Sequence, residues 1–226
     1  MIYYHRGDKM LKDIQGAIFD MDGTLIDSMW VWLKVDIDYL KKRNIPMPEN
    51  LKSEIEHLSF IDCARYFKKT FSLPETIEEI MEEWNTMAYT EYLENVQVKE
   101  GVPAFLKKLK VSGTKLALAT SNCRLLLEAA LKKFEIYDLF DAIVITDEVG
   151  KPKSEPDVFL KAAELIGVQP SNCVVFEDIL PAVKSAKKAG MKVVAISDDS
   201  SLNQREEIKL NADKFIKEYS ELEDVI

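Results

Sequence analysis

The sequence predicts an α/β fold, a doubly wound parallel sheet with a helical domain inserted after the first strand. Three observations carry that expectation. Short apolar runs at 17–19, 115–120, 142–146, 173–176 and 192–196 have the length and character of strands buried on both faces. Between 28 and 95 no such run occurs, and apolar residues recur at three- and four-residue steps instead. From 96 onward strands and helices alternate with short links, which implies parallel strands covered by helices on both faces.

The first run, Ala17-Ile18-Phe19, leads into Asp20-Met21-Asp22-Gly23-Thr24. Two carboxylates one residue apart oppose each other's ionisation, which makes sense where a cation lies between them or one of them holds a proton. A plain acidic turn is the alternative, because Asp and Gly favour chain reversals. Three helices follow. The first carries Trp30, Leu33, Ile37 and Leu40 on one stripe and is followed by Pro46 and Pro48; the second carries Phe60, Ala64, Phe67 and Phe71. Ser72-Leu73-Pro74 breaks the second, and the third carries Ile77, Ile80, Met81, Trp84, Met87 and Ala88. Residues 1–27 and 96–226 are therefore expected to form the α/β core, and 28–95 a separate helical domain. In the core, Gly101-Val102-Pro103 opens a helix that Ser112-Gly113 closes; further helices run around 124–134, from Pro156 to Gly167 and from Pro181 to Gly190.

Composition narrows the function. The 30 basic and 39 acidic residues leave a net charge of −9, which argues against a nucleic-acid partner. No apolar run approaches a membrane span and residues 1–6 lack a signal-peptide core, so no membrane partner and a cytoplasmic location are expected, with a monomer as the default. Met10 is an alternative start. Cys63, Cys123 and Cys173 are scattered and form no Cys-x-x-Cys pair, which indicates neither a disulfide framework nor zinc. Only two histidines occur, His5 and His57, so a His-based metal site or a Ser-His-Asp triad is disfavoured. Chemistry here must rest on carboxylates, hydroxyls and lysines.

In open α/β sheets ligands bind at the carboxyl ends of the strands. Those ends hold Asp20 and Asp22; Thr120-Ser121-Asn122; Asp147, Glu148, Lys151 and Lys153; Glu177-Asp178; and Ser197-Asp198-Asp199. Exposure alone makes rim loops polar, but it does not account for Glu177-Asp178 directly after four apolar residues. Asp198 and Asp199 read as solvated. Converging carboxylates suit Mg²⁺, a hard cation that takes oxygen ligands, and Mg²⁺ beside a lysine and a hydroxyl suits a phosphoryl group. One carboxylate can attack phosphorus to form an aspartyl-phosphate. A second can protonate the leaving oxygen and then take a proton from water.

Asp20-Met21-Asp22-Gly23-Thr24, Thr120-Ser121-Asn122, Lys153 and Glu177-Asp178 resemble, in order and strand placement, the four motifs of the haloacid dehalogenase superfamily, whose core is Rossmann-like. The helical insert resembles the cap of its β-phosphoglucomutase-like phosphatases. The resemblance implies Asp20 as nucleophile and Asp22 as general acid/base, with Thr120 and Lys153 as phosphate ligands and Ser121 and Asn122, of the same motif as Thr120, also in the phosphate-binding set. It implies Mg²⁺ held by Asp20, the backbone carbonyl of Asp22, and Asp178, with Glu177 in support. Lys153 is preferred to Lys151 because Lys153-Ser154-Glu155-Pro156-Asp157 fits the family's Lys-x-x-Pro-Asp pattern. Ile179 and Ala182 stand where the family often has a hydroxyl residue and a glycine.

Asp22 sets the chain apart from the dehalogenase members, which lack it, and from the P-type ATPases, which carry lysine there. β-Phosphoglucomutases carry a histidine where Trp32 stands and an arginine about where Phe60 stands, so water is favoured as the acceptor. Trp30 reads as cap core and Trp32 as a candidate pocket residue; His57 is given no role. The expectation is a Mg²⁺-dependent phosphatase of a small phosphorylated metabolite. The alternatives are a sugar phosphomutase and a receiver-type phosphoacceptor module, which is shorter and has no cap.

Overall fold

The computed structural model describes residues 13–55 and 60–222; His5, His57 and the alternative start at Met10 lie outside them. The chain divides into two compact units, one up to Asp27 and again from Gln97, the other Ser28–Val96.

In the larger unit β1 (Gly16–Phe19) and β2 (Ile26–Asp27) precede the other unit, and β3 (Gln97–Val98) follows it and pairs antiparallel with β2. β4 (Lys115–Thr120), β5 (Ala142–Ile145), β6 (Cys173–Glu177), β7 (Lys192–Ile196) and β8 (Lys214–Ile216) join β1 in a six-stranded parallel sheet of order β5-β4-β1-β6-β7-β8. The acidic turn thus leaves the sheet from a central strand. Register decides what it meets. Phe19 lies opposite Leu118 on one side and Phe176 on the other, so the next residue, Asp20, stands level with Glu177.

Side chains alternate across the sheet. On one face Ile18, Ala117, Ala119, Val175, Val193 and Ala195 pack in one buried cluster with residues of two helices, Asp157–Leu165 and Leu180–Lys188. On the other face Phe19 stacks on Phe176, with ring centroids 4.3 Å apart and planes 7° from parallel. Phe105, from the helix Val102–Val111, sets its ring edge-on to both, at 6.3 and 5.5 Å. Burying large aromatic rings in these offset and edge-on arrangements fixes the end of β1 firmly.

The larger unit differs from the sequence reading, which expects neither the β2–β3 pair nor its last strand. Thr146 does not extend its strand; it begins a four-residue helix, Thr146–Val149, which ends at Gly150 with φ 71°. The sequence does not signal β8 or the helix Arg205–Asn211 before it, because an edge strand of three residues with only Ile216 buried has no apolar run to announce it.

The smaller unit contains helices Met29–Lys42, Leu51–Ile55, Phe60–Thr70 and Ile77–Glu94. The last opens with a capping box in which Thr76 Oγ1 accepts from Glu79 N–H and the Glu79 carboxylate accepts from Thr76 N–H. Ala64, Phe67, Ile80, Trp84 and Ala88 are buried on the expected stripes. The first helix is a correction. Its buried residues are Val31, Val35, Tyr39 and Leu40, while Leu33 and Ile37 are 43% and 41% exposed and Trp30 is half-buried. Both stripes satisfy helical spacing. Tyr39 decides between them by packing edge-on against Phe67 and Trp84, at 6.1 and 5.6 Å. Among the described residues no helix is long and apolar enough to cross a membrane.

Candidate active site

The site is assembled at the carboxyl ends of β1, β4 and β6. Asp20, at the end of β1, is 5% exposed and held by a backbone hydrogen bond from its N–H to Phe176 O at 3.0 Å. The ammonium of Lys153 donates to Asp20 Oδ1 and, at 2.8 Å, to Glu177 Oε2. Lys153 reaches inward from the turn after Gly150 and is 6% exposed, whereas its rival Lys151 is exposed. The other oxygen of Glu177 accepts from the N–H groups of Asp178 and Ile179, so both oxygens of this fully buried carboxylate have donors. Glu177 is thereby a brace between Lys153 and the turn that follows β6.

Asp178 differs. Its Oδ1 accepts from the Thr24 hydroxyl at 3.1 Å, but its Oδ2 is buried with no hydrogen-bond partner. Gly23 makes the approach possible: its φ is +84°, and a Cβ built there would overlap the Asp178 carboxylate. Asp22 is half-buried, and its Oδ2 accepts from the Asn122 side-chain amide at 2.9 Å. Asn122, grouped by sequence with the phosphate-binding residues, is thus bonded to the second carboxylate; its own Oδ1 accepts from Cys123 N–H. Thr120 is buried at the end of β4 with its Oγ1 accepting from Asn122 N–H, and Ser121 is exposed.

Asp198, read from sequence as solvated, is 9% exposed and bonded to Lys99 at 2.9 Å; Asp199 is exposed. Trp32 and Phe60 touch edge-on at 5.3 Å within the smaller unit. Sequence reasoning also missed Tyr219, whose hydroxyl reaches Thr24 O at 3.2 Å, because an isolated aromatic near the end of a chain carries no signal.

Burial pushes the Asp20 carboxyl up to about 7, with the Lys153 charge opposing that rise. Burial, then repulsion from Glu177 and Asp20, pushes Asp178 well above the usual carboxylate range. Burial alone would lower the Lys153 ammonium, but Asp20 and Glu177 more than reverse it and keep it charged. Oxygens of Asp20, Glu177 and Asp178 all lie within 4.8 Å of one another. Three carboxylates against one ammonium leave a formal charge of −2. A divalent cation fits this set: it would cancel that charge and give the orphaned Asp178 Oδ2 a partner.

Buried carboxylates and a lysine gather where a parallel sheet presents its carboxyl ends, the place where open α/β sheets bind ligands. The chain belongs to the haloacid dehalogenase-like hydrolase family, whose model matches residues 17–196. It is 32% identical over 198 residues to "Probable pseudouridine-5'-phosphatase" of Drosophila melanogaster, covering 84% of this chain and 85% of that one. It is 29% identical over 208 residues to "Bifunctional riboflavin kinase/FMN phosphatase" of Arabidopsis thaliana, of which it spans about half (54%, against 91% of this chain). The crystal structure of CbbY from Rhodobacter sphaeroides in complex with phosphate shares the fold, with a TM-score of 0.81 at 21% identity over 93% of this chain and 96% of that one.

Proposed function

We propose that this hydrolase is a Mg²⁺-dependent phosphatase that cleaves a small phosphomonoester through an aspartyl-phosphate on Asp20. The phosphatase names of its relatives and its family support phosphoric monoester hydrolysis. One observation above all supports the site: Lys153 bridges Asp20 and Glu177 beside the unpartnered Oδ2 of Asp178.

Asp20 attacks phosphorus, forming an O–P bond as the ester O–P bond breaks. Asp22, oriented by Asn122, gives its proton to the departing oxygen. Asp22 then takes a proton from water, whose oxygen attacks the same phosphorus, releasing phosphate and restoring Asp20. Lys153 aligns the Asp20 carboxylate and, with the Thr120 hydroxyl and the Ser121-Asn122 segment, binds phosphoryl oxygens. Asp20, Asp178 and the Asp22 carbonyl would hold Mg²⁺, with Glu177 in support. Bound there, the ion supplies positive charge against the phosphoryl oxygens.

The test is phosphate release from a panel of phosphorylated metabolites, with Mg²⁺ and with chelator, for the wild type and Asp20→Asn. Uncatalysed phosphomonoester hydrolysis is so slow that accelerations reach on the order of 10²¹, so loss of the nucleophile should abolish turnover. Robust release in chelator, or full activity in Asp20→Asn, overturns the mechanism.

A further inference from the structure

Tyr219, near the end of the described residues, reaches the acidic turn. Tyr219 opens the short 3₁₀ helix Tyr219–Leu222 after β8 and is 2% exposed. Its hydroxyl donates to the backbone carbonyl of Thr24 at 3.2 Å, across 195 residues of sequence. The ring is held in place by Phe105 at 5.2 Å and Phe176 at 6.2 Å, and Gly101, with φ +81°, leaves room for it: a Cβ on Gly101 would lie 3.2 Å from Tyr219 Cβ. Thr24 is fully buried, and its own hydroxyl donates to Asp178 Oδ1 at 3.1 Å. Both bonds end on the same residue of the turn, one on its backbone and one from its side chain.

We propose that Tyr219 is a positioning residue for the cation site: by fixing the Thr24 backbone it aims the Thr24 hydroxyl at Asp178 Oδ1, which leaves Oδ2 as the oxygen that would take a metal. The inference rests on the reading of the site as a Mg²⁺ centre. Packing alone does not require the hydroxyl, since phenylalanine fills the same aromatic slot. The hydroxyl instead satisfies a buried carbonyl of the turn, a group that is costly to leave unpaired. Burial, then the nearby charges of Asp20 and Asp178, raises the Tyr219 phenol, so it stays a donor. The tyrosine thus links the C-terminal segment to the metal ligand through two hydrogen bonds in series.

Calorimetric titration of Mg²⁺ into the full chain tests this for the wild type, Tyr219→Phe, Thr24→Val and the double variant, alongside phosphate release as a function of Mg²⁺. Tyr219→Phe should raise the Mg²⁺ dissociation constant roughly three- to tenfold, the range expected for one net hydrogen bond. Its turnover should return close to wild type at saturating Mg²⁺. Because Tyr219 acts through Thr24, the double variant should bind Mg²⁺ no more weakly than Thr24→Val alone. Tyr219→Phe with wild-type Mg²⁺ affinity and only a lower melting temperature overturns the inference, as does strict additivity in the double variant. A wild-type chain that neither binds Mg²⁺ nor needs it for phosphate release instead overturns the metal-centre reading itself, and the inference with it.

Discussion

Lys153→Met isolates the cation on which the buried cluster depends. Lys153, Asp20 and Glu177 are 6%, 5% and 0% exposed, so solvent screens their attraction little. Methionine keeps an unbranched apolar stem of similar reach beside Phe159, over whose ring the ammonium sits at 6.0 Å, and removes only the charge and its donors. The three carboxylates then lose the ammonium that faces them. Removing one partner of a buried ion pair leaves an uncompensated charge and costs about 3–5 kcal/mol, a large part of the roughly 5–15 kcal/mol that holds a domain folded. Urea unfolding in chelator, followed by circular dichroism, should show that loss. Adding Mg²⁺ should narrow the gap, since the ion returns positive charge to the same oxygens. Asp20→Asn combined with Lys153→Met should recover part of it, because one of the stranded carboxylates is gone. A loss below about 0.5 kcal/mol, the range of ordinary surface substitutions, would refute the reasoning: the three side chains would then act as a solvated group.

Two further outcomes are expected. Asp22→Asn should slow release from alkyl phosphates by roughly 10²–10⁴-fold and from activated aryl phosphates far less, because only a poor leaving group needs the proton; equal losses on both substrates reject the role of Asp22. In the smaller unit, Arg43 binds Glu75 Oε1 at 2.6 Å and Glu83 Oε2 at 2.7 Å above the Tyr39 ring, 3.7 Å from its centroid. Glu75 is held below the usual carboxylate range by its own backbone N–H and then by Arg43, and Glu83 by Arg43. Lowered carboxyls stabilise the fold above their unfolded values near about 4.3 and lose that contribution as pH falls through the folded ones. Arg43→Gln should therefore cost about 1–3 kcal/mol at neutral pH, with the gap closing under acid conditions. Tryptophan fluorescence reads this unit, since all three tryptophans lie in it; a gap that persists undiminished into strong acid shows that the charges are not its source.

Much of the candidate site is legible in the chain because the fold gathers the polar residues that end short apolar runs. Asp20, Thr120 and Glu177 each close such a run, and strands in one parallel sheet present those ends together. The buried face of the first helix in the smaller unit is not legible in the sequence, because two stripes, Trp30-Leu33-Ile37-Leu40 and Val31-Val35-Tyr39, fit the same period and only the rings of Phe67 and Trp84 choose between them. Lys151 and Lys153 share one turn; that Lys153 is buried and Lys151 exposed is a property of the folded turn.

By itself the sequence determined the α/β core, the helical insert and the residue types at the strand ends, since apolar period and turn residues are local properties that physics reads over a few positions. Tertiary structure alone decided how those residues divide their bonds. Asn122 supports Asp22, Glu177 braces Lys153, and Asp178 keeps one oxygen without a partner while Tyr219 fixes the turn beneath it. Those pairings join positions 24 to 195 residues apart. Such contacts depend on the register and packing of the whole sheet, which no local window contains.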